Sequence, residues 1–351
     1  MTATDLGMPG LAGVPTSDDK QSIKDYKSDQ EVRWCPGCGD YVVLSIVQSF
    51  LPTLGLRREN IVFISGIGCS SRFPYYLNTY GMHSIHGRAP AIATGLAVAR
   101  PDLSVWVVTG DGDALSIGGN HLIHTLRRNV NLKILLFNNR IYGLTKGQYS
   151  PTSEPGKVTK STPMGSLDHP FNPVSLALGA DATFVARTLD SDRAQLTEIL
   201  TAAATHRGSA FVEIYQNCPI FNDGAFDVLK DQGEREHRLI PLSHGQPIRF
   251  GPNEEYGVVR SGLAGLDVAR IDDVGDDAVI KHDATLDDPS YAFALSRLST
   301  QDLSHTVTGI FRNVTRPTYD DQARAQLAEA AATRPPDLQA LLRGKDTWTV
   351  A

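Results

Sequence analysis

Short apolar runs alternate with helical stretches through the first two thirds of the chain. Residues 61–65, 105–109, 132–137, 183–186 and 210–215 are dominated by β-branched, aliphatic and aromatic side chains, and most begin beside Asn or Ser or end at Gly or Asn, so they read as buried strands. Residues 41–54, 89–99, 117–128, 174–178 and 191–206 read as helices. Asp40 is placed to cap the first, Gly55 to stop it, and Pro101 to end the small-residue helix over 89–99. Strands alternating with helices predict an α/β fold, a parallel sheet flanked by helices and joined by right-handed crossovers. Residues 142–173 interrupt the alternation with a long segment rich in Gly, Pro, Ser and Thr; a loop of that length is usually functional or disordered. After about residue 235 the pattern fades into Asp, Gly and Pro loops, with helical stretches near 291–298 and 320–342. There is no internal repeat and no low-complexity run. Three segments are expected: a flexible polar lead over 1–30, an α/β domain over 31–235, and an irregular C-terminal extension over 236–351 that contacts the core or a partner.

Composition narrows the functional classes. The 351 residues suffice for one large α/β domain or two smaller ones, and 41% hydrophobic residues permit a sizeable core. A formal charge of -6 argues against a general nucleic-acid binder. No uncharged apolar run is long enough to span a membrane, and residues 1–28 lack the apolar core of a signal peptide. A cytoplasmic location follows as the expectation, and there thiols stay reduced. The four cysteines, Cys35, Cys38, Cys69 and Cys218, therefore need an account other than disulfides.

The chemistry gathers at the predicted strand ends. Gly110-Asp111-Gly112-Asp113 follows the run over 105–109, and Asn138-Asn139 follows the run over 132–137. In an open α/β sheet that edge is where ligands bind. A carboxylate and an amide oxygen placed there suit Mg²⁺ on a diphosphate, which draws few ligands from protein and the rest from phosphate and water. All four cysteines lie in predicted loops beside Gly or Pro or in a Gly-rich turn: Trp34-Cys35-Pro36-Gly37-Cys38-Gly39, Gly66-Ile67-Gly68-Cys69-Ser70-Ser71-Arg72 and Cys218-Pro219. Four thiolates match a tetrahedral zinc ion or an iron–sulfur cluster on ligand count. One close pair plus two distant singletons favours a cluster over structural zinc, which usually uses two pairs. Four unrelated buried thiols remain the bland alternative.

Together with His86-Gly87-Arg88 and the run from Asn138 to Gln148, these motifs resemble the β subunit of 2-oxoacid:ferredoxin oxidoreductases, most closely the 2-oxoglutarate branch, over roughly residues 30–235. The resemblance implies a thiamine-diphosphate-binding fold of the diphosphate type. It implies Mg²⁺ held by Asp111, Asn139 and the carbonyl of Ile141, and one [4Fe–4S] cluster on Cys35, Cys38, Cys69 and Cys218. Cofactor contacts are implied from Gly68, Cys69, Ser70, His86, Gly87, Gly110, Gly112, Asp113, Gly143, Leu144 and Thr145, with the N–H groups of Gly112 and Asp113 and the following helix N-terminus facing the diphosphate. The implied reaction is CoA-dependent oxidative decarboxylation of 2-oxoglutarate to succinyl-CoA and CO₂, with electrons passed through the cluster to ferredoxin.

Arg72 is then the candidate for gripping a distal carboxylate with two hydrogen bonds, the alternative being an Arg paired with a structural carboxylate. Leu144 and Lys146 fall near the substrate by the same resemblance. Such enzymes need a Glu to bond the aminopyrimidine, and a second α/β domain to hold that ring. No motif singles out Glu59, Glu154, Glu198 or Glu213, and the chain holds one such domain. A partner α subunit is expected to supply both, in an α2β2 assembly. Two rival readings are the same chemistry on pyruvate or a branched-chain or aryl 2-oxoacid, and a zinc-stabilised nucleotide-binding scaffold without redox activity.

Overall fold

A computed structural model describes residues 7–263, 265–333, 336–348 and 350. Its strands are β1 (Ile61–Ser65), β2 (Tyr80–His83), β3 (Ser104–Gly110), β4 (Lys133–Asn138), β5 (Phe184–Leu189), β6 (Ala210–Tyr215), β7 (Leu239–Leu242), β8 (Arg249–Phe250), β9 (Tyr256–Ser261), β10 (Gly265–Arg270) and β11 (Thr306–Asn313). The helices of the first two thirds are α1 (Asp40–Phe50), α2 (Ala89–Ala99), α3 (Asp111–Leu115), α4 (Gly119–Arg128), α5 (Pro173–Gly179) and α6 (Arg193–Thr205). Those of the last third are α7 (Gln232–Arg238), α8 (Ile271–Val274), α9 (Ser290–Arg297), α10 (Tyr319–Thr333) and α11 (Leu338–Arg343). Among the described residues no helix is long and apolar enough to cross a membrane.

The main sheet has eight strands in the order β2-β1-β3-β4-β6-β5-β11-β7. β1 to β6 pair with one another in parallel, as alternation predicts; β11 runs antiparallel to β5 and parallel to β7. Its central strands are buried along their whole length, which a sheet covered on both faces requires. One layer buries Phe63, Trp106, Leu135 and Val212 against α1 and α6; the other buries Ile64, Val107, Ile134 and Phe211 against α2, α4 and α5. β8, β9 and β10 form a separate antiparallel sheet.

Three local expectations change. The segment after 235 is more regular than its loop-rich composition suggests, because β7 and β11 extend the main sheet and the nominal 235/236 boundary falls inside α7. Residues 7–30 pack rather than hang free: Leu11, Val14 and Tyr26 are buried, and the Asn78 N–H donates to the Tyr26 carbonyl at 3.0 Å. A few apolar anchors in a polar segment are enough to fix it. The part of the lead over 1–6 lies outside the described residues. Asp40 does not cap α1; it is the first helical residue and is buried. Burial pushes that carboxyl up to about 7, beside Cys38 and Asp190.

Candidate functional site

β1, β3, β4 and β6 are adjacent and parallel, so their C-terminal ends share one edge. Each end delivers one motif. β1 runs into Gly66 to Arg72, β3 into Gly110 to Asp113, β4 into Asn139 to Thr145, and β6 into Gln216 to Cys218. Two cavities open there and share Cys69, Asn139, Gly143 and Leu144 as a common wall.

The first cavity, about 120 Å³, is lined by Asp111, Asn139 and Ile141 and by nearly all the residues expected to touch a diphosphate cofactor: Gly68, Cys69, Ser70, His86, Gly110, Gly112, Asp113, Gly143, Leu144 and Thr145. Gly87 sits just behind it, its N–H bonded to Asp113 Oδ1 at 2.7 Å. Asp111 is buried, and burial pushes its carboxyl up to about 6 against the opposing bonds from Ser150 and Thr152. Those hydroxyls both meet Oδ2, at 2.5 and 2.6 Å. Asn139 Oδ1 accepts from the Ile141 N–H at 3.2 Å. Among the described residues no donor reaches the Ile141 carbonyl. A carboxylate, an amide oxygen and a free carbonyl form the hard-oxygen set that Mg²⁺ takes.

Behind Asp111 lies a buried polar chain. Thr152 Oγ1 is also 2.8 Å from Asn138 Oδ1, Asn138 Nδ2 donates to Glu213 Oε1 at 2.7 Å, and Arg187 Nε donates to Glu213 Oε2 at 2.6 Å. Glu213, one of the four Glu considered for the aminopyrimidine, is thus committed to Arg187 inside the sheet. Glu59, Glu154 and Glu198 line neither cavity. Ser150 and Thr152 were not singled out by sequence reasoning. The signal was the unexplained length of the 142–173 loop, which folds back to brace Asp111.

Asp113 ties three loops together. Its Oδ1 accepts from His86 Nδ1, from the Gly87 N–H and from the Ile67 N–H at 3.2 Å, and its Oδ2 accepts from Thr109 Oγ1 at 2.6 Å. A Cβ on Gly66 would lie 1.8 Å from Asp113 Oδ2, so only glycine lets the β1 loop come this close. The bond to the Asp113 carboxylate favours the His86 tautomer that carries its proton on Nδ1.

The second cavity, about 250 Å³, is lined by all four cysteines together with Arg72, Leu144 and Lys146. The Cys69 and Cys218 sulfurs both lie beside Gly143, where a Cβ would sit 3.5 and 3.6 Å from them. Burial pushes Cys69 up to about 11, and raises Cys38 further. Among the described residues no three His, Cys, Asp or Glu side chains are grouped tightly enough to hold a single ion. Arg72 stands on the cysteine side of the common wall, donates to the Arg33 carbonyl at 2.9 Å, and forms no ion pair with a carboxylate among the described residues. Lys146 adopts a left-handed backbone, φ 77°.

The family model for the thiamine pyrophosphate enzyme C-terminal, TPP-binding domain matches residues 66–214, the stretch from the β1 loop to the end of β6. This defines the class: a thiamine diphosphate enzyme domain. A 2-oxoglutarate oxidoreductase subunit KorB from Mycobacterium tuberculosis is 72% identical over 357 residues, covering 100% of this chain and 95% of the relative. The β subunit of 2-oxoacid:ferredoxin oxidoreductase 1 from Aeropyrum pernix is 44% identical over 236 residues, covering 67% and 73%. A solved 2-oxoglutarate:ferredoxin oxidoreductase from Magnetococcus marinus, with 2-oxoglutarate, coenzyme A and succinyl-CoA bound, superposes with a TM-score of 0.75 at 35% identity, over 94% of this chain and 98% of that one. The chain belongs to the family of 2-oxoacid:ferredoxin oxidoreductase β subunits, in the 2-oxoglutarate oxidoreductase branch.

Proposed function

We propose that this chain is the β subunit of a 2-oxoglutarate:ferredoxin oxidoreductase, converting 2-oxoglutarate and CoA to succinyl-CoA and CO₂ together with an α subunit. The observation that carries the reading is the common wall. A hard-oxygen set suited to a metal diphosphate and four cysteines face each other across Cys69, Asn139, Gly143 and Leu144. A nucleotide-binding scaffold has no use for a sulfur-lined cavity at that position.

The residues present fit both groups. Asp111, Asn139 and the free Ile141 carbonyl would hold Mg²⁺, with the Gly110 to Asp113 turn along the diphosphate. Cys35, Cys38, Cys69 and Cys218 would hold a [4Fe–4S] cluster. One zinc ion with bonds of about 2.3 Å needs little space, whereas the cavity that the four cysteines help to line, about 250 Å³, has room for several atoms. Thiamine diphosphate supplies the electron sink for decarboxylating a 2-oxoacid, and the cluster a one-electron path outward. This chain's own part is to fix the diphosphate end, exclude water from the buried strand edge, and hold the cysteines beside it. Arg72 and Lys146, which line the cysteine cavity, and Leu144, on the common wall, would read the substrate, and His86, held by Asp113, would meet the cofactor in the cavity that it lines. The Glu for the aminopyrimidine would come from the α subunit, in an α2β2 complex that delivers electrons to ferredoxin. Reduced thiols suit a cytoplasmic setting.

The test is the complex co-purified anaerobically with its α subunit. The expected result is a brown protein with iron and sulfide in near-equal amounts, whose CoA-dependent reduction of ferredoxin or a viologen is faster with 2-oxoglutarate than with pyruvate or branched-chain or aryl 2-oxoacids. A colourless zinc protein, unresponsive to any 2-oxoacid, would overturn the reading.

A further inference from the structure

We propose that Gln216 is a positioning residue that serves both halves of the site at once: its amide oxygen orients Asn139 toward the metal, and its amide N–H donates to the Cys38 sulfur and raises the reduction potential of the cluster. The inference rests on the functional reading above. Gln216 is the first residue after β6 and is buried, and its backbone N–H is bonded to the Asn138 carbonyl at 3.0 Å. Its side chain therefore has a fixed origin at the strand edge, within reach of Asn139 and Cys38.

Asn139 Nδ2 donates to Gln216 Oε1 at 3.1 Å, while Gln216 Nε2 lies 3.2 Å from Cys38 Sγ and also donates to the Asn217 carbonyl. The two ends of the amide are not interchangeable. Rotated by half a turn, Nε2 would face the Asn139 NH₂, donor against donor, and Oε1 would face the sulfur and the Asn217 carbonyl. The same argument passes to Asn139: with Nδ2 held by Gln216, Oδ1 is left for the Ile141 N–H and the metal. The neighbouring backbone keeps the Cys38 loop in reach, since the Gly39 N–H donates to the Asn217 carbonyl at 3.1 Å. An N–H directed at a ligating sulfur stabilises the reduced, more negative cluster. Gln216 thus supplies a donor to sulfur and an acceptor to Asn139 from one rigid group.

Two substitutions separate the functions. Gln216→Glu keeps an acceptor for Asn139 and removes the N–H from Cys38. Gln216→Leu removes both. In the complex with the α subunit, the cluster potential is read by anaerobic redox titration followed by electron paramagnetic resonance. Mg²⁺ affinity is read by calorimetric titration of Mg²⁺ into the stripped complex with thiamine diphosphate present. Both variants are expected to shift the potential negative. Gln216→Leu is expected to weaken Mg²⁺ binding about tenfold to a hundredfold, the usual effect of losing a ligand's supporting bond; Gln216→Glu retains more of it. A wild-type cluster signal whose potential is unchanged in both variants would overturn the assignment while leaving the functional reading intact. A wild-type complex without any such signal would overturn the functional reading, and the assignment with it.

Discussion

Replacing Arg72 by Leu separates two roles that its position permits. The guanidinium stands in the cysteine cavity, three residues from Cys69, with one hydrogen bond, to the Arg33 carbonyl, and no carboxylate partner among the described residues. Loss of that half-exposed bond costs the fold at most about 0.5–1.5 kcal/mol, so the variant should assemble. If the guanidinium grips the distal carboxylate of 2-oxoglutarate, losing a buried charge-assisted pair costs about 2–5 kcal/mol. At about 1.36 kcal/mol per tenfold, kcat/KM for 2-oxoglutarate falls roughly 30-fold to several thousand-fold, while that for pyruvate, which has no distal carboxylate, stays near the wild-type value. The assay is steady-state reduction of ferredoxin or a viologen by the complex with each 2-oxoacid in turn. Equal losses for both substrates would refute the selectivity role. They would point instead to the cation's effect on the cysteines, since Arg72 favours the Cys69 thiolate against the burial that raises its pKa.

Three further outcomes follow from the buried polar groups. Thr152→Val leaves Asp111 Oδ2 with Ser150 alone and should weaken Mg²⁺ binding about tenfold to a hundredfold, with Thr152→Ser recovering most of it by calorimetry; unchanged affinity in Thr152→Val would dismiss the brace. Glu213→Ala strands Arg187 inside the sheet and should cost about 3–5 kcal/mol in urea unfolding; a loss below about 1 kcal/mol, the range of exposed pairs, would contradict the pairing. His206 is held neutral, its pKa lowered to about 3 chiefly by burial and then by the charge of Lys133. A depressed base contributes its full stability above its unfolded value, 6.5, and loses it as pH falls toward 3. At about 1.4 kcal/mol per pH unit, roughly 2 kcal/mol is lost by about pH 5. His206→Gln should flatten that part of the acid limb in urea unfolding, and identical slopes would refute the assignment.

The strand and helix sequence over the first two thirds of the chain was legible from local pattern. Long apolar runs with strict punctuation leave few alternatives, and each of the five expected strands is present within a few residues. The Asp, Asn and Cys motifs that line the two cavities could be picked out as well, because such residues beside Gly at strand ends do little for packing. β2, β7 and β11 were not. β2 is exposed along its length and carries no apolar run, while β7 and β11 lie among Asp, Gly and Pro loops whose polarity masks them. Ser150 and Thr152 were invisible for a similar reason: a hydroxyl in a polar loop has no local signature until a carboxylate is folded against it.

The sequence by itself determined the α/β class, the family, and the residue types that can hold a metal diphosphate and a cluster. Only the tertiary structure decided how they meet. Strand order is a non-local property, set by which hydrophobic faces cover one another, and it makes β1, β3, β4 and β6 neighbours. That order brings Cys69, Asp111, Asn139 and Cys218 to one edge. It also sends Glu213 inward to Arg187, places Arg72 on the sulfur side of the wall, and sets Gln216 against both Asn139 and Cys38, since the direction of a side chain follows from strand register and burial rather than from its neighbours in sequence.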